Sequence, residues 1–168
     1  MIRVREARPT DAAGVIELFQ KIYSETNFML YEPGEWTPKP EDYARRLEEV
    51  WNAEAGVMFV CESDGDLIGV VFANRGMARR TRHSAYVVIG VIQQWVGRGA
   101  GRALLEALEA WARTKGVHRL ELTVDAANQR AVALYEKCGF EREGLKRHSR
   151  RIEGAYYDEL YMSKLIEV

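Results

Sequence analysis

Between residues 84 and 115 the chain leaves an unbroken apolar run, SAYVVIGV (84–91), crosses IQQWVGRGAGR, and enters a helix-like stretch from Gly101 to Lys115. The apolar run reads as a buried strand. In the later stretch Leu104, Leu105, Leu108, Trp111 and Ala112 share one side, which reads as an amphipathic helix stopped by Gly116. This junction constrains the chain more than any other segment. The first backbone N–H groups of a helix have no partner inside it, and the helix dipole adds partial positive charge there. Glycines at 97, 99 and 101 let a ligand approach the backbone closely. Together these features make an anion site suited to phosphate or pyrophosphate, with Arg98 and Arg102 as nearby cations. The competing reading is a tight turn with no ligand, for which one glycine suffices. A dinucleotide-binding turn needs G-x-G-x-x-G after an early strand, whereas this chain has G-x-G-x-G after a central one.

Gly90 lies inside the strand just before the turn. A strand glycine marks a bulge or a close backbone approach. Broken pairing there would leave N–H and C=O groups for an extended ligand arm, bound as an added strand. A pantetheine arm with two amides is such a ligand. The alternative is a glycine chosen for helix–sheet packing.

The remaining elements fall on either side. IRVRE (2–6) alternates as a strand. Thr10 and Asp11 offer helix caps before DAAGVIELFQKIYSE, where Val15, Ile16, Leu18, Phe19 and Ile22 share a face. A loop from about Asn27 to Pro40 holds three prolines and mixes Phe28, Tyr31 and Trp36 with Glu32 and Glu35. It is either a packed surface segment or a pocket wall. Glu41 to Asn52 reads as a second helix. VMFVCES and LIGVVFANR flank Asp64-Gly65-Asp66 as a hairpin. HRLELTV (118–124) alternates as a strand. Asn128 to Lys137 reads as a helix closed by Cys138-Gly139. Phe140 to His148 and Ala155 to Lys164 form a terminal hairpin around Glu153-Gly154. The order β-αα-βββ-α-β-α-ββ predicts an α/β (α+β) class, a mixed sheet covered by helices.

Composition narrows the partners. The 168 residues suit one domain, residues 1–168. Lys+Arg 24 against Asp+Glu 25 lacks the basic excess of a non-specific nucleic-acid binder. No apolar run approaches the roughly 20 residues needed to span a bilayer, and the charged N-terminus is unlike a signal peptide. Two cysteines, Cys61 and Cys138, give neither a disulfide framework nor a metal cluster. A reducing, cytoplasmic compartment is the expectation.

Two separated motifs resemble the GNAT superfamily of N-acetyltransferases. The pattern Q/R-x-x-G-x-G/A is matched by Val96-Gly97-Arg98-Gly99-Ala100-Gly101, and N-x-x-A-x-x-L-Y-x-x-x-G-F by Asn128, Ala131, Leu134, Tyr135, Gly139 and Phe140. The resemblance covers nearly the whole chain and is strongest from Val91 to Gly144. Val96 departs from the pattern's Gln/Arg, which removes a side-chain contact but keeps the backbone donors. The resemblance implies a mostly antiparallel twisted sheet with helices on both faces. It implies acetyl-CoA as cofactor, with pyrophosphate on the backbone of Val96, Gly97, Arg98, Gly99, Ala100, Gly101 and Arg102. Pantetheine would lie against Ile89, Gly90 and Val91, with Asn128 and Ala131 nearby.

The implied reaction is acetyl transfer to a primary amine, on a small molecule or a protein N-terminus, by direct attack in a ternary complex. Positioning does most of that work. A backbone N–H, that of Val91, is the candidate donor to the thioester oxygen. By resemblance Tyr135 is the acid toward the CoA sulfur; a phenol of ordinary pKa about 10 is protonated at neutral pH. Asn128 can cap the last helix. For the base, the position that holds a carboxylate in some relatives is Tyr86. Glu25 ranks first among Glu25, Glu35, Glu121 and His83. A non-catalytic CoA sensor and an ATP- or NAD-binding module are the competing readings. The C-terminal YYDELYMSKL is a candidate pairing segment for a homodimer.

Overall fold

A computed structural model describes residues 1–167. Its elements follow the predicted order. They are β1 (Ile2–Glu6), a 3-10 turn (Pro9–Asp11), α1 (Ala12–Glu25), α2 (Pro40–Asn52), β2 (Gly56–Ser63), β3 (Asp66–Arg75) and β4 (Ser84–Val91). A second 3-10 turn (Gln93–Trp95), α3 (Ala100–Thr114), β5 (Arg119–Asp125), α4 (Gln129–Lys137), β6 (Glu141–Ile152) and β7 (Ala155–Leu165) complete it. One seven-stranded sheet results, in the order β1-β2-β3-β4-β5-β7-β6. Only β4 and β5 run parallel.

Close contacts at glycines show which helices cover which face. A Cβ on Gly90 would meet the Ile22 Cδ1 of α1 at 2.9 Å, and one on Gly69 would meet the Leu104 Cδ1 of α3 at 3.1 Å. Gly69 and Gly90 lie on opposite faces, because side chains alternate across a strand and Gly90 pairs with Val70. So α1 lies on one face and α3 on the other. A Cβ on Gly101 would meet the Leu134 Cδ2 of α4 at 2.8 Å, which puts α4 beside the start of α3. The core runs through both interfaces, with Val15, Val60, Val70, Leu104 and Leu108 wholly buried.

Four sequence expectations are corrected here. Gly90 is not a bulge: the β3–β4 register is unbroken from Gly69↔Val91 to Arg75↔Ala85. Its lack of a side chain makes room for Ile22. The register shifts lie at Cys61/Glu62 and within β6–β7. The Asp11 side chain does not cap α1. It accepts from the Arg8 N–H at 2.7 Å and from both Arg5 terminal nitrogens at 2.8 and 2.9 Å. The strand β6 runs to Ile152, four residues beyond the expected His148. Finally, YYDELYMSKL is an interior strand, because β7 pairs with β5 from Glu159 to Leu165 and with β6 on its other side. Within this hairpin the free edge belongs to β6, and β1 forms the opposite edge of the sheet.

Candidate active site

The site is a failure of pairing. β4 and β5 are bonded only at Ser84–Arg119, Ala85–Leu120 and Tyr86–Glu121. Beyond Tyr86 they part, and a cleft of about 1240 Å³ opens between Val87–Val91 and Thr123–Val124. Strand alternation shows which backbone groups face it. The Ile92 N–H donates to the Ile68 carbonyl at 3.0 Å, one step beyond the β3–β4 ladder. Hydrogen-bonded pairs alternate with non-bonded ones in an antiparallel ladder. Gly90 and Val88 therefore spend their groups on β3, while Val91, Ile89 and Val87 turn theirs toward the gap. The Arg119 N–H on the His83 carbonyl, 2.9 Å, follows the same odd-numbered set. Val91 and Ile89 thus offer the open edge expected of them, and the Gly90 backbone does not.

The open edge leads into the glycine turn. There the Val96 N–H donates to Gln93 at 3.2 Å and the Arg98 N–H to Trp95 at 3.3 Å. The first bond of α3 is Ala103 to Gly99 at 3.0 Å. The N–H groups of Gly97, Gly99, Ala100, Gly101 and Arg102 find no acceptor among the described residues. Gly97 and Gly99 have φ of +77° and +91°, where a Cβ is strained. Gly101 is present because Leu134 leaves no room for a side chain. The three glycines therefore have two different causes. Arg98 lies over the Trp95 ring at 5.5 Å, and Arg102 pairs with Glu106 at 2.8 Å. An exposed pair of this kind contributes little, so Arg102 is available to an arriving anion.

The third wall is α4. The Asn128 Oδ1 accepts from the Ala131 N–H at 3.2 Å and caps the helix. Ala131, Leu134 and Tyr135 line the cleft. Tyr135 is 7% exposed, with its ring 5.8 Å from that of Phe140. Its phenol has no bond within the chain, yet no buried side-chain oxygen or nitrogen lacks a partner among the described residues. The phenol oxygen therefore reaches the cleft. Burial pushes the phenol above its ordinary value, so it keeps its proton. Arg130 and Lys137 also line the cleft and were not singled out from sequence. Their spacing with Leu134 along one helical face was the available signal.

Two carboxylates line the cleft among the described residues, Glu25 and Glu159. The Glu25 Oε2 accepts from the Gln93 N–H at 2.7 Å, tying the end of α1 to the turn after β4. Glu159 accepts from the Ser149 hydroxyl at 2.8 Å; its place in the cleft depends on strand pairing, which sequence alone did not reveal. The other candidates lie elsewhere. Glu35 accepts from the Glu32 N–H at 2.9 Å within its own turn, and Glu121 pairs with Arg119 at 2.7 Å. His83 is not among the lining residues. Tyr86 lines the cleft, its hydroxyl 2.8 Å from the Thr123 hydroxyl across the start of the gap.

The far end of the cleft is aromatic. Trp36 makes edge contacts with Phe19, Tyr23 and Tyr43 at 5.4 to 6.0 Å. The loop holding it is thus both a packed segment and a wall. Burial raises the phenols of Tyr23, Tyr43 and Tyr135, that of Tyr43 to about 12. In the unfolded chain these groups lose their protons near the ordinary value of about 10. Their contribution is present below that pH and is lost as pH rises through the folded values. A melting temperature steady up to about pH 9.5 and falling above it is expected, with a shallower fall in Tyr43→Phe. Differential scanning fluorimetry across pH 8 to about 11 checks it.

The cleft joins an open strand edge to unpaired helix-terminal donors, an arrangement with room and donors for a long ligand that carries amides and phosphates. The acetyltransferase (GNAT) family model matches residues 16–140. The chain is 30% identical over 169 residues to the L-amino acid N-acetyltransferase AaaT of Escherichia coli strain K12, covering 98% of this chain and 97% of that one. It is 42% identical over 115 residues to the mycothiol acetyltransferase of Thermobispora bispora, covering 66% of this chain. The chain spans 36% to 38% of the length of the mycothiol acetyltransferases from Propionibacterium freudenreichii and T. bispora. A GNAT-family acetyltransferase structure from Streptococcus pneumoniae superposes with a TM-score of 0.95 at 30% identity, covering 99% of this chain and 100% of that one. The chain belongs to the GNAT acetyltransferase family.

Proposed function

We propose that this protein is an acetyl-CoA-dependent N-acetyltransferase, acting as one domain, that acetylates a primary amine on a small molecule or peptide N-terminus. One observation carries the reading: the free edge of Val87, Ile89 and Val91 runs directly into five unpaired N–H donors. That edge matches a chain of amides, and the donors match a diphosphate. The fit holds without a side chain from Val96. Acetyl-CoA supplies an activated acetyl group when bound. The Val91 N–H, on the open edge, would be the donor to the thioester oxygen, where charge develops. Tyr135 holds its proton at the cleft and would supply it to the leaving sulfur. Glu25 takes the proton lost by the amine, and the Gln93 N–H orients it. The aromatic end around Trp36 receives the apolar body of the acceptor.

The relative named for L-amino acids, matched end to end, supports amino acids as the first acceptors to screen. No helix among the described residues is long and apolar enough to cross a membrane. The two free cysteines support a reducing, cytoplasmic setting. A homodimer along the free β6 edge belongs to the proposal, and a light-scattering mass of one chain at micromolar concentration removes it.

The test follows thiol release from acetyl-CoA against an amine panel, with mass spectrometry of the amine. Thiol release matched to acetylated amine excludes a CoA sensor; binding with no release establishes one. ATP or NAD competing equally with CoA would establish a nucleotide module. Glu25→Gln is expected to lower kcat at pH 7 by about tenfold or more. The loss is greater for lysine-type amines, of pKa about 10.4, than for α-amines near about 8.

A further inference from the structure

Arg150 stands where β6 leaves its register. Lys146 pairs with Glu159 and Arg150 with Tyr157, so four steps on β6 oppose two on β7. His148 takes φ +49° in the bulge, and its N–H donates to the Asp158 Oδ1 at 2.7 Å. Such a bulge re-aims the side chains beside it. The Arg150 side chain is turned inward, 13% exposed, against an Asp125 side chain that is 2% exposed.

Each edge of this guanidinium has its own task. The Arg150 Nη1 donates to the Asp125 Oδ2 at 3.1 Å. The Nη2 donates to the Met29 carbonyl at 2.9 Å and also to the Asn27 carbonyl. The other oxygen of Asp125 accepts from the Ala127 N–H at 2.8 Å, in the turn that enters α4. One carboxylate thus holds the start of the helix bearing Asn128 and Tyr135. Through Arg150 it also holds the loop that closes the opposite wall. Met29 lies over β4, its methyl 3.6 Å from where a Cβ of Gly90 would stand.

We infer that Arg150 is a positioning residue for the acceptor amine: through Asp125 it sets the 27–29 loop against the helix carrying Tyr135. The inference rests on the acetyltransferase reading above. A planar fork is required, because a lysine ammonium is a point charge on a flexible stem. Arg150→Lys keeps a charge for Asp125 and loses the paired donation to two carbonyls. It is also the variant that spares the fold, since an unpaired buried Asp125 is avoided.

The experiment uses the full chain and two readouts. Hydrogen exchange of residues 27–31 and of α4 is followed by mass spectrometry, with acetyl-CoA affinity measured alongside. Steady-state kinetics use the best acceptor among the twenty L-amino acids, spermidine and tobramycin. In Arg150→Lys, exchange at 27–31 is expected to quicken at least about tenfold, with α4 unchanged. The acceptor KM is expected to rise about tenfold or more, with acetyl-CoA affinity within about twofold. Unchanged exchange at 27–31 overturns the inference, as does a KM rise shared equally by both substrates. If the wild type acetylates none of these amines, it is the functional reading that fails, and the exchange and acetyl-CoA affinity decide the tie on their own.

Discussion

Tyr135→Phe is expected to lower kcat by about a hundredfold to ten-thousandfold, the range a positioned general acid supplies. Acetyl-CoA affinity should hold within about twofold, because the ring, not the hydroxyl, makes the packing contacts. Tyr135 is buried against Phe140 at 5.8 Å, and phenylalanine keeps that contact. What is lost is the phenol oxygen, open to the cleft and without a partner among the described residues. Its burial holds the proton in place, so the acid should not limit the alkaline side of the pH–rate profile below about pH 10. Single-turnover measurement with saturating acetyl-CoA separates the chemical step from binding. A kcat within about threefold of wild type would remove Tyr135 from the mechanism.

The second large effect is expected at Gly99. A valine there must hold φ near +91°, a genuine outlier for a β-branched residue. It meets almost nothing, since the nearest atom to an added Cβ is the Ile2 Cδ1 at 4.0 Å. The cost is therefore one of backbone conformation, roughly 1–3 kcal/mol, and the turn relieves it by reshaping. Reshaping misaims the donors of Gly99, Ala100 and Gly101. Hydrogen bonds to a charged group contribute about 1.5–3 kcal/mol each. Losing two predicts acetyl-CoA binding weaker by at least about a hundredfold, by isothermal titration, with the melting temperature of the free protein only modestly lowered. Gly101→Val is a poorer probe, because Leu134 at 2.8 Å would force α4 to move and drag Tyr135 with it. Folded Gly99→Val that binds acetyl-CoA as tightly as the parent would sink the donor site.

Both effects were partly visible in the chain itself. The glycine turn could be read because φ-permissive residues between an apolar run and a 3.6-period helix have few uses. Asn128 was legible as a helix cap, while Tyr135 was marked by its place in a motif that resembles the family's, since a tyrosine packed on the core reads the same way locally. The hairpin of β2 and β3 was equally plain, since its turn is local. Such features involve residues within a few positions of one another, so the sequence order states them directly.

Other features depend on residues brought together from afar. Gly90 looked like a bulge, and it is a gap for Ile22, 68 residues earlier. Glu25 is held by Gln93, and Arg150 reaches Asn27 and Met29 across 123 and 121 residues. The divergence of β4 from β5 after Tyr86 has no local signature, because each strand alone is regular. The sequence by itself determined the elements, their order and the glycine turn between β4 and α3, since these follow from short-range periodicity and backbone permissiveness. Tertiary structure alone decided the open strand edge, which backbone groups face the cleft and which carboxylates reach it. Those depend on register and on packing between distant segments, which no local pattern encodes.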